Sequence, residues 1–289
     1  MSELLMRRRG MIAAITNTGI IRYTTTEDFP SGEQFFFRNV WDTLNIKVKL
    51  DGVILPSPYK ATTDGGVHTI EVHFPMNHVP HDVFSANGTT MEGCMDSIEL
   101  IGPWAKFDYR AFINNSMRSF TFPDSVKEIE HDCVCQNNNL TSINGVTNGG
   151  TLTLQNLKVW ANDNFTAHAA IIAGNVGKLN FPSLEVWGGE NGIYSSPMHQ
   201  TKPDGGFDIE LGASLKTVYG GVNDRCYIKD LIIHAVTPPT FVITEAQGGD
   251  ELFFQGNLYG NIKVPAESVD AYKAASGWSA YAESITAIV

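Results

Sequence analysis

The feature that most constrains this chain is a repeat. An apolar-x-apolar triplet, a turn residue and a second apolar cluster recur as "FTFPDSVKEI" from Phe120, "LTLQNLKVW" from Leu152, "LNFPSLEVW" from Leu179 and "IELGASLKTV" from Ile209. These starts lie 32, 27 and 30 residues apart. Less regular copies begin at Val72, Ile98, Ile232 and Ile262, and the mean period of about 27 residues falls in the solenoid range.

One copy shows why stacking is obligatory. Successive strand residues point to opposite faces, so Phe120 and Phe122 face one way and Thr121 the other. Pro or Gly ends the strand, and Val126 and Ile129 return to the same interior. A single copy cannot cover both clusters, whereas stacked copies bury them against each other. The connections supply the Gly, Asn, Asp and Pro of turns, as in "NGVTNGG", "GGENG" and "KPDGG".

"MRSFTFPDSVKEIEHDCVCQNNNLTSI", residues 117–143, resembles one unit of the BspA-like, or Treponema-type, leucine-rich repeat, L-T-S-V-x-I-P-x-S-V-x-x-I-x-x-x-A-F-x-x-C-x-x-L-x-S-I. "FSANGTTMEGCMDSIEL" is similar to the same unit, with its Phe and late Cys at Phe84 and Cys94. "AVTPPTF" followed by "IKVPAESVDAYKAASGWSAYAESITAIV" resembles the terminal segment common in that family. The resemblance spans roughly residues 70–289, and between residues 140 and 230 the A-F-x-x-C element is lost. It implies a curved leucine-rich-repeat solenoid serving recognition or adhesion and not catalysis, although fold alone does not fix function.

The expected fold is therefore mainly β with short helices: an N-terminal docking arm (1–20), a small β module (21–70), the solenoid (71–240), and a last repeat with a helical cap (241–289). The module is read from alternating residues around the Asp51-Gly52 and Asp64-Gly65-Gly66 turn signals, and it is placed to cap the first coil. The cap is read from "VPAESVDAYKAASGW": Pro265 suits a first turn, Val269 and Tyr272 share a helical face, and Gly277 stands where a left-handed cap would stop the helix. Trp278 and Tyr281 supply bulk beyond it. Such a lid would cover the apolar end and open strand edges of the last coil.

Composition narrows the functions. Twenty Lys and Arg against 31 Asp and Glu give a formal charge of −11, which opposes general binding to nucleic acid or anionic lipid. No apolar run reaches the roughly 18 residues of a membrane span, and "MIAAI" after the arginines is too short for a secretory core. Cys94, Cys133, Cys135 and Cys226 are too scattered for a disulfide framework; Cys133 and Cys135 fall where the repeat wants small or apolar side chains.

Candidate sites are few. Trp160 and Trp187 occupy matching places in "LKVW" and "LEVW"; their register with Ile129 points inward to core packing, and the alternative is an aromatic stripe that stacks on glycans. The outward positions Thr121, Thr153, Asn180 and Glu210 form no aromatic platform. His68, His73, His78 and His81 match no closed zinc spacing. No nucleophile elbow, P-loop, dinucleotide fingerprint or H-E-x-x-H is present, so no catalytic, cofactor or metal residue is assigned. A polysaccharide-active enzyme built on paired carboxylates is the least favoured reading.

At the start, Leu4 and Leu5 precede Arg7, Arg8 and Arg9, a pattern suited to docking on a protein partner. With no signal peptide in view, this opening resembles those of some structural proteins of gut bacteriophages that carry such repeats. The expectation is a multi-copy or oligomeric virion protein, in a tail or head fibre or decoration, with protein partners and possibly a host glycan as ligand. The alternative is a bacterial surface adhesion protein.

Overall fold

Each repeat folds into two strands joined by a tight turn, and like strands of successive repeats stack into parallel sheets. The computed structural model describes residues 19–29, 33–34, 46–56, 60–84, 95–112, 115–130, 133–134, 140, 142–146, 149–160, 176–188, 206–219, 228–242, 258 and 260–289. The longer strands, Gly150–Thr153, Val176–Phe181, Phe207–Leu211, Ile228–Ile233, Ile262–Val264 and Ile285–Ala287, form a six-stranded parallel sheet. The shorter ones, His78–Val79, Lys106–Phe107, Glu128–Ile129, Val159–Trp160, Val186–Trp187, Thr217–Tyr219 and Thr240–Val242, form a seven-stranded parallel sheet. The fold is mainly β with short helices, and its body is a β-solenoid of about five turns.

The periodicity of the sequence reappears as periodicity of hydrogen bonds. Within a coil, Val126 donates to the Pro123 carbonyl at 3.0 Å, Leu157 to Leu154 at 3.3 Å and Leu184 to Phe181 at 3.3 Å, so the same turn recurs. Between coils, the Lys158, Glu185, Lys216 and Thr240 amides donate to the carbonyls of Lys127, Lys158, Glu185 and Lys216 at 2.7 to 2.9 Å. Backbone groups that one coil cannot satisfy are thus satisfied by its neighbours. Stacking this close leaves no room at Gly212, where a Cβ would lie 1.8 Å from the Pro182 carbonyl oxygen.

Two apolar columns fill the interior. Leu152, Leu179, Ile209, Leu231, Ile262 and Ile285 align on one wall, and Val79, Phe107, Ile129, Trp160, Trp187, Val218 and Phe241 on the other. As expected, Phe120, Phe122, Val126 and Ile129 are all buried while Thr121 is exposed. The copy read from Ile232 is one residue out of register: Leu231 pairs with Ile209 and Ile262, and Ile232 lies on the outward column with Glu210. In "LII" the pattern fits either start, and a register shift between Phe207 and Ile209 selects Leu231.

A third stack completes the early coils. Phe84 donates to the Ala111 carbonyl at 3.0 Å and Phe112 to the Cys133 carbonyl at 2.8 Å, with Val83, Ala111, Cys133 and Val134 buried between them. Cys133 thereby occupies the place of Ala111 one coil on, a small apolar position; Cys94, Cys135 and Cys226 lie outside the described residues.

The copies read at Val72 and Ile98 are hybrids. Their first strands, His68–Phe74 and Ser97–Ile101, both pair antiparallel with Gly19–Thr25, while their second halves enter the seven-stranded sheet as His78–Val79 and Lys106–Phe107. Gly19–Thr25 wedges between them and buries Ile21 and Tyr23, which replaces direct parallel pairing of the two strands. Lys47–Leu50 and Val53–Leu55 extend this antiparallel sheet to five strands. One continuous apolar core then runs from Ile21 to Ile285.

At the other end the last coil exchanges its short strand for helix. Ala266–Ser268, Val269–Ala274 and Trp278–Ser284 are successive 3-10, α and 3-10 segments between the strands Ile262–Val264 and Ile285–Ala287. Tyr272 and Trp278 are buried, and Val269 and Tyr281 pack partly buried against the same core. The Tyr272 hydroxyl donates to the Ala235 carbonyl and the Trp278 indole N–H to that of Pro239, each at 2.8 Å. The left-handed cap expected at Gly277 is not what forms. The helix ends at Ala275 in extended backbone (φ −72°, ψ 143°), and Gly277 sits at φ 79°, ψ −44°, outside the left-handed helical well. The reason is Phe241: seating Trp278 edge-on against it turns the backbone so tightly that a Cβ at Gly277 would lie 2.6 Å from the Phe241 ring.

Candidate recognition surface

Because side chains alternate along a strand, the outer face of the six-stranded sheet displays one residue per coil in each column. Thr153, Asn180, Glu210, Ile232, Lys263 and Thr286 align as one such column. Thr153, Asn180 and Glu210 thus face outward as their sequence positions require, whereas Thr121 lies beyond the strand Ser119–Phe120.

The charges on this face are paired across coils. Lys178 forms an ion pair with Glu210, His234 Nε2 lies 2.7 Å from Glu210 Oε1, and Lys263 Nζ lies 2.8 Å from Asp230 Oδ2. Hydrogen bonding, first from Lys178 and then His234, holds the Glu210 carboxyl below the usual glutamate range. For Asp230, burial pushes upward, but hydrogen bonds from Lys263 and the Asn261 amide outweigh it and the group is held down. Both therefore stay ionised, the opposite of a carboxylic acid poised to give up a proton. Their chemistry suits matching of a polar partner surface.

The edges of the seven-stranded sheet carry similar rungs. Lys158 and Lys216 flank Glu185, whose carboxyl they lower to about 2, Lys158 contributing first. Lys106 faces Glu128 at 2.9 Å, Asp108 at 3.3 Å and Glu130. Burial works against its charge, yet hydrogen bonds to Glu130 and Glu128 hold the ammonium above the usual lysine range, while burial pushes Asp108 upward.

The structure sorts the other candidates. Trp160 and Trp187 are adjacent rungs of the inward column, 1% and 3% exposed, and Trp160 packs 4.3 Å from the Phe181 ring. The glycan-stripe alternative is corrected on that ground: neither ring offers a face on which a sugar could stack. Leu4, Leu5, Arg7, Arg8 and Arg9 lie outside the described residues. Of the histidines, His73 meets Glu71 at 3.3 Å and His81 meets Asp82 at 3.6 Å, and among the described residues no cluster suited to a metal ion forms.

His68 is the arrangement that sequence reasoning missed. Its Nδ1 lies 2.7 Å from Asp51 Oδ2 and its Nε2 3.0 Å from Asp64 Oδ1. Only an imidazolium can donate from both nitrogens, and these bonds, Asp51 first, raise the His68 pKa. The Asp51-Gly52 and Asp64-Gly65 turns were visible as turns; that both close on one imidazole was not.

No protein-family profile matches this chain, and no curated protein matches it either. Among the described residues no helix is long and apolar enough to cross a membrane.

Proposed function

We propose that this chain is a non-enzymatic recognition or structural protein of the BspA-like leucine-rich-repeat type. In this reading it is a multi-copy component of a bacteriophage tail or head fibre or decoration, docked through residues 1–20 and turning its repeats toward a host protein or glycan. The observation that carries the recognition role is the outer column Thr153, Asn180, Glu210, Ile232, Lys263 and Thr286, an ordered polar face delivered one residue per coil. Leucines at inward positions, among them Leu152, Leu157, Leu179, Leu184, Leu215 and Leu231, support the leucine-rich assignment. The virion assignment rests on the Leu4-Leu5 and Arg7–Arg9 pattern of the arm.

Two experiments test these halves separately. Deleting residues 1–20 should leave a folded protein that is no longer incorporated into particles; unchanged incorporation would refute arm-mediated docking. Reversing the charges of Lys178 and Lys263 to Glu should abolish binding to host cell-envelope material with an unchanged far-UV spectrum. Binding that survives the reversal would remove this face from the recognition role.

A further inference from the structure

The helical cap closes one sheet and leaves the other open. Trp278 and Tyr272 cover the strand Thr240–Val242 at the end of the seven-stranded sheet. The chain then lays Ile285–Ala287 parallel to Ile262–Val264, and this becomes the terminal strand of the six-stranded sheet. The Ile288 amide donates to the Val264 carbonyl at 2.8 Å. In a parallel ladder the N–H and C=O of one residue point the same way and alternate along the strand, so Thr286 and Ile288 face inward to the sheet. Residues 285, 287 and 289 therefore aim their N–H and C=O groups away from it.

Open edges of this kind are ordinarily blunted by lysine, proline or a bulge. At the edge strand Val53–Leu55 the next residue is Pro56, which limits pairing there. The run Ile285-Thr286-Ala287-Ile288-Val289 contains no charge, glycine or proline. That composition favours one occupant. Antiparallel pairing with an identical strand sets Ala287 opposite itself, Thr286 opposite Ile288 and Ile285 opposite Val289, and a charge anywhere in the run would bring like charges together across the two-fold. Head-to-tail pairing would instead require the first long strand, Gly150–Thr153, whose register shifts at Gly150/Thr151.

We propose that Ile285–Ala287 is a homodimerisation edge, paired antiparallel with the same strand of a second copy of this chain about a two-fold axis at Ala287. The two six-stranded sheets then join into one. The pairing does not depend on the virion reading.

Sedimentation equilibrium of the full chain over roughly 1 to 100 μM tests it. The expected species is a dimer that does not grow further, with the amides of Ile285, Ala287 and Val289 losing hydrogen-exchange protection on dilution. Ala287→Pro removes an outward N–H without touching the ladder to Ile262–Val264, and should raise the dimer dissociation constant on the order of tenfold or more. Thr286→Glu, on the outer face, should weaken the dimer by placing a carboxylate opposite Ile288 of the second copy; it decides the matter if the proline variant does not fold. A monomer throughout the range, a dimer indifferent to both substitutions, or assemblies that keep lengthening with concentration would each overturn the proposal.

Discussion

Glu71 carries the densest set of contacts of any single carboxylate on the antiparallel sheet. Arg22 reaches its Oε1 with Nε at 3.0 Å and Nη2 at 2.9 Å, Lys49 Nζ reaches Oε2 at 3.1 Å, and His73 Nε2 stands 3.3 Å away. Hydrogen bonds from Arg22 first and Lys49 second lower this carboxyl to about 2. A depressed folded value means that the stabilisation is complete above the ordinary glutamate range and is lost as pH falls toward about 2. Thermal melts in the acid range should show this loss in the wild type, and Glu71→Gln should flatten it. An equal acid slope in both proteins would assign the sensitivity elsewhere. His68 runs in the opposite sense. Its folded value is raised, so its contribution is complete below the ordinary histidine range and disappears as pH rises through that raised value. His68→Gln should therefore lower the melting temperature at pH 6 more than at pH 9. Neither centre was legible in the sequence, because Arg22 and Glu71 are 49 residues apart and register alone brings them together.

At the scale of elements, the C-terminal cap was legible in its inward residues and illegible in its turn. Val269, Tyr272 and Trp278 follow from helical spacing and bulk, which a sequence displays directly. What Gly277 does depends on Phe241, far away in sequence, and on the space between Phe241 and Trp278. Trp278→Ala removes a side chain that is 1% exposed, and should cost about 3 to 5 kcal/mol while baring the end of the seven-stranded sheet to aggregation. Gly277→Ala should destabilise through both its positive φ and the clash with Phe241, and Phe241→Ala should relieve part of that loss. A chemical-denaturation double-mutant cycle measures the relief; strictly additive losses would separate Gly277 from Phe241. The repeat strands show the same division. Which residues face inward was legible at Leu152, Leu179 and Ile209, whereas the start at Leu231 instead of Ile232 was set by a register shift in the neighbouring coil.

For the whole molecule the decisive feature is that the antiparallel sheet and the solenoid share one core. Phe74 meets Trp104 edge-on at 5.7 Å, Phe84 stacks on Phe112 at 5.5 Å, and Phe107 touches Phe112, Phe120 and Phe122. The aromatic chain thus runs from the strand His68–Phe74 into the coil at Phe120. Sequence displayed the alternation of the first segment and the repeats of the second, but the insertion of Gly19–Thr25 between two repeat-like strands requires a pairing across some 50 to 75 residues, which no local pattern encodes. In solenoids stability is transmitted between neighbours, so damage at this junction should propagate both ways. Phe107 is 0% exposed, and Phe107→Ala should cost about 3 to 5 kcal/mol. Native-state hydrogen exchange can follow the consequence: protection should fall together in the Gly19–Thr25 ladder and in Glu128–Ile129, while the distant strand Ile262–Val264 is affected least. If the Gly19–Thr25 ladder kept its full protection while the coils lost theirs, the antiparallel sheet would be an independent unit, and the aromatic junction would be contact without coupling.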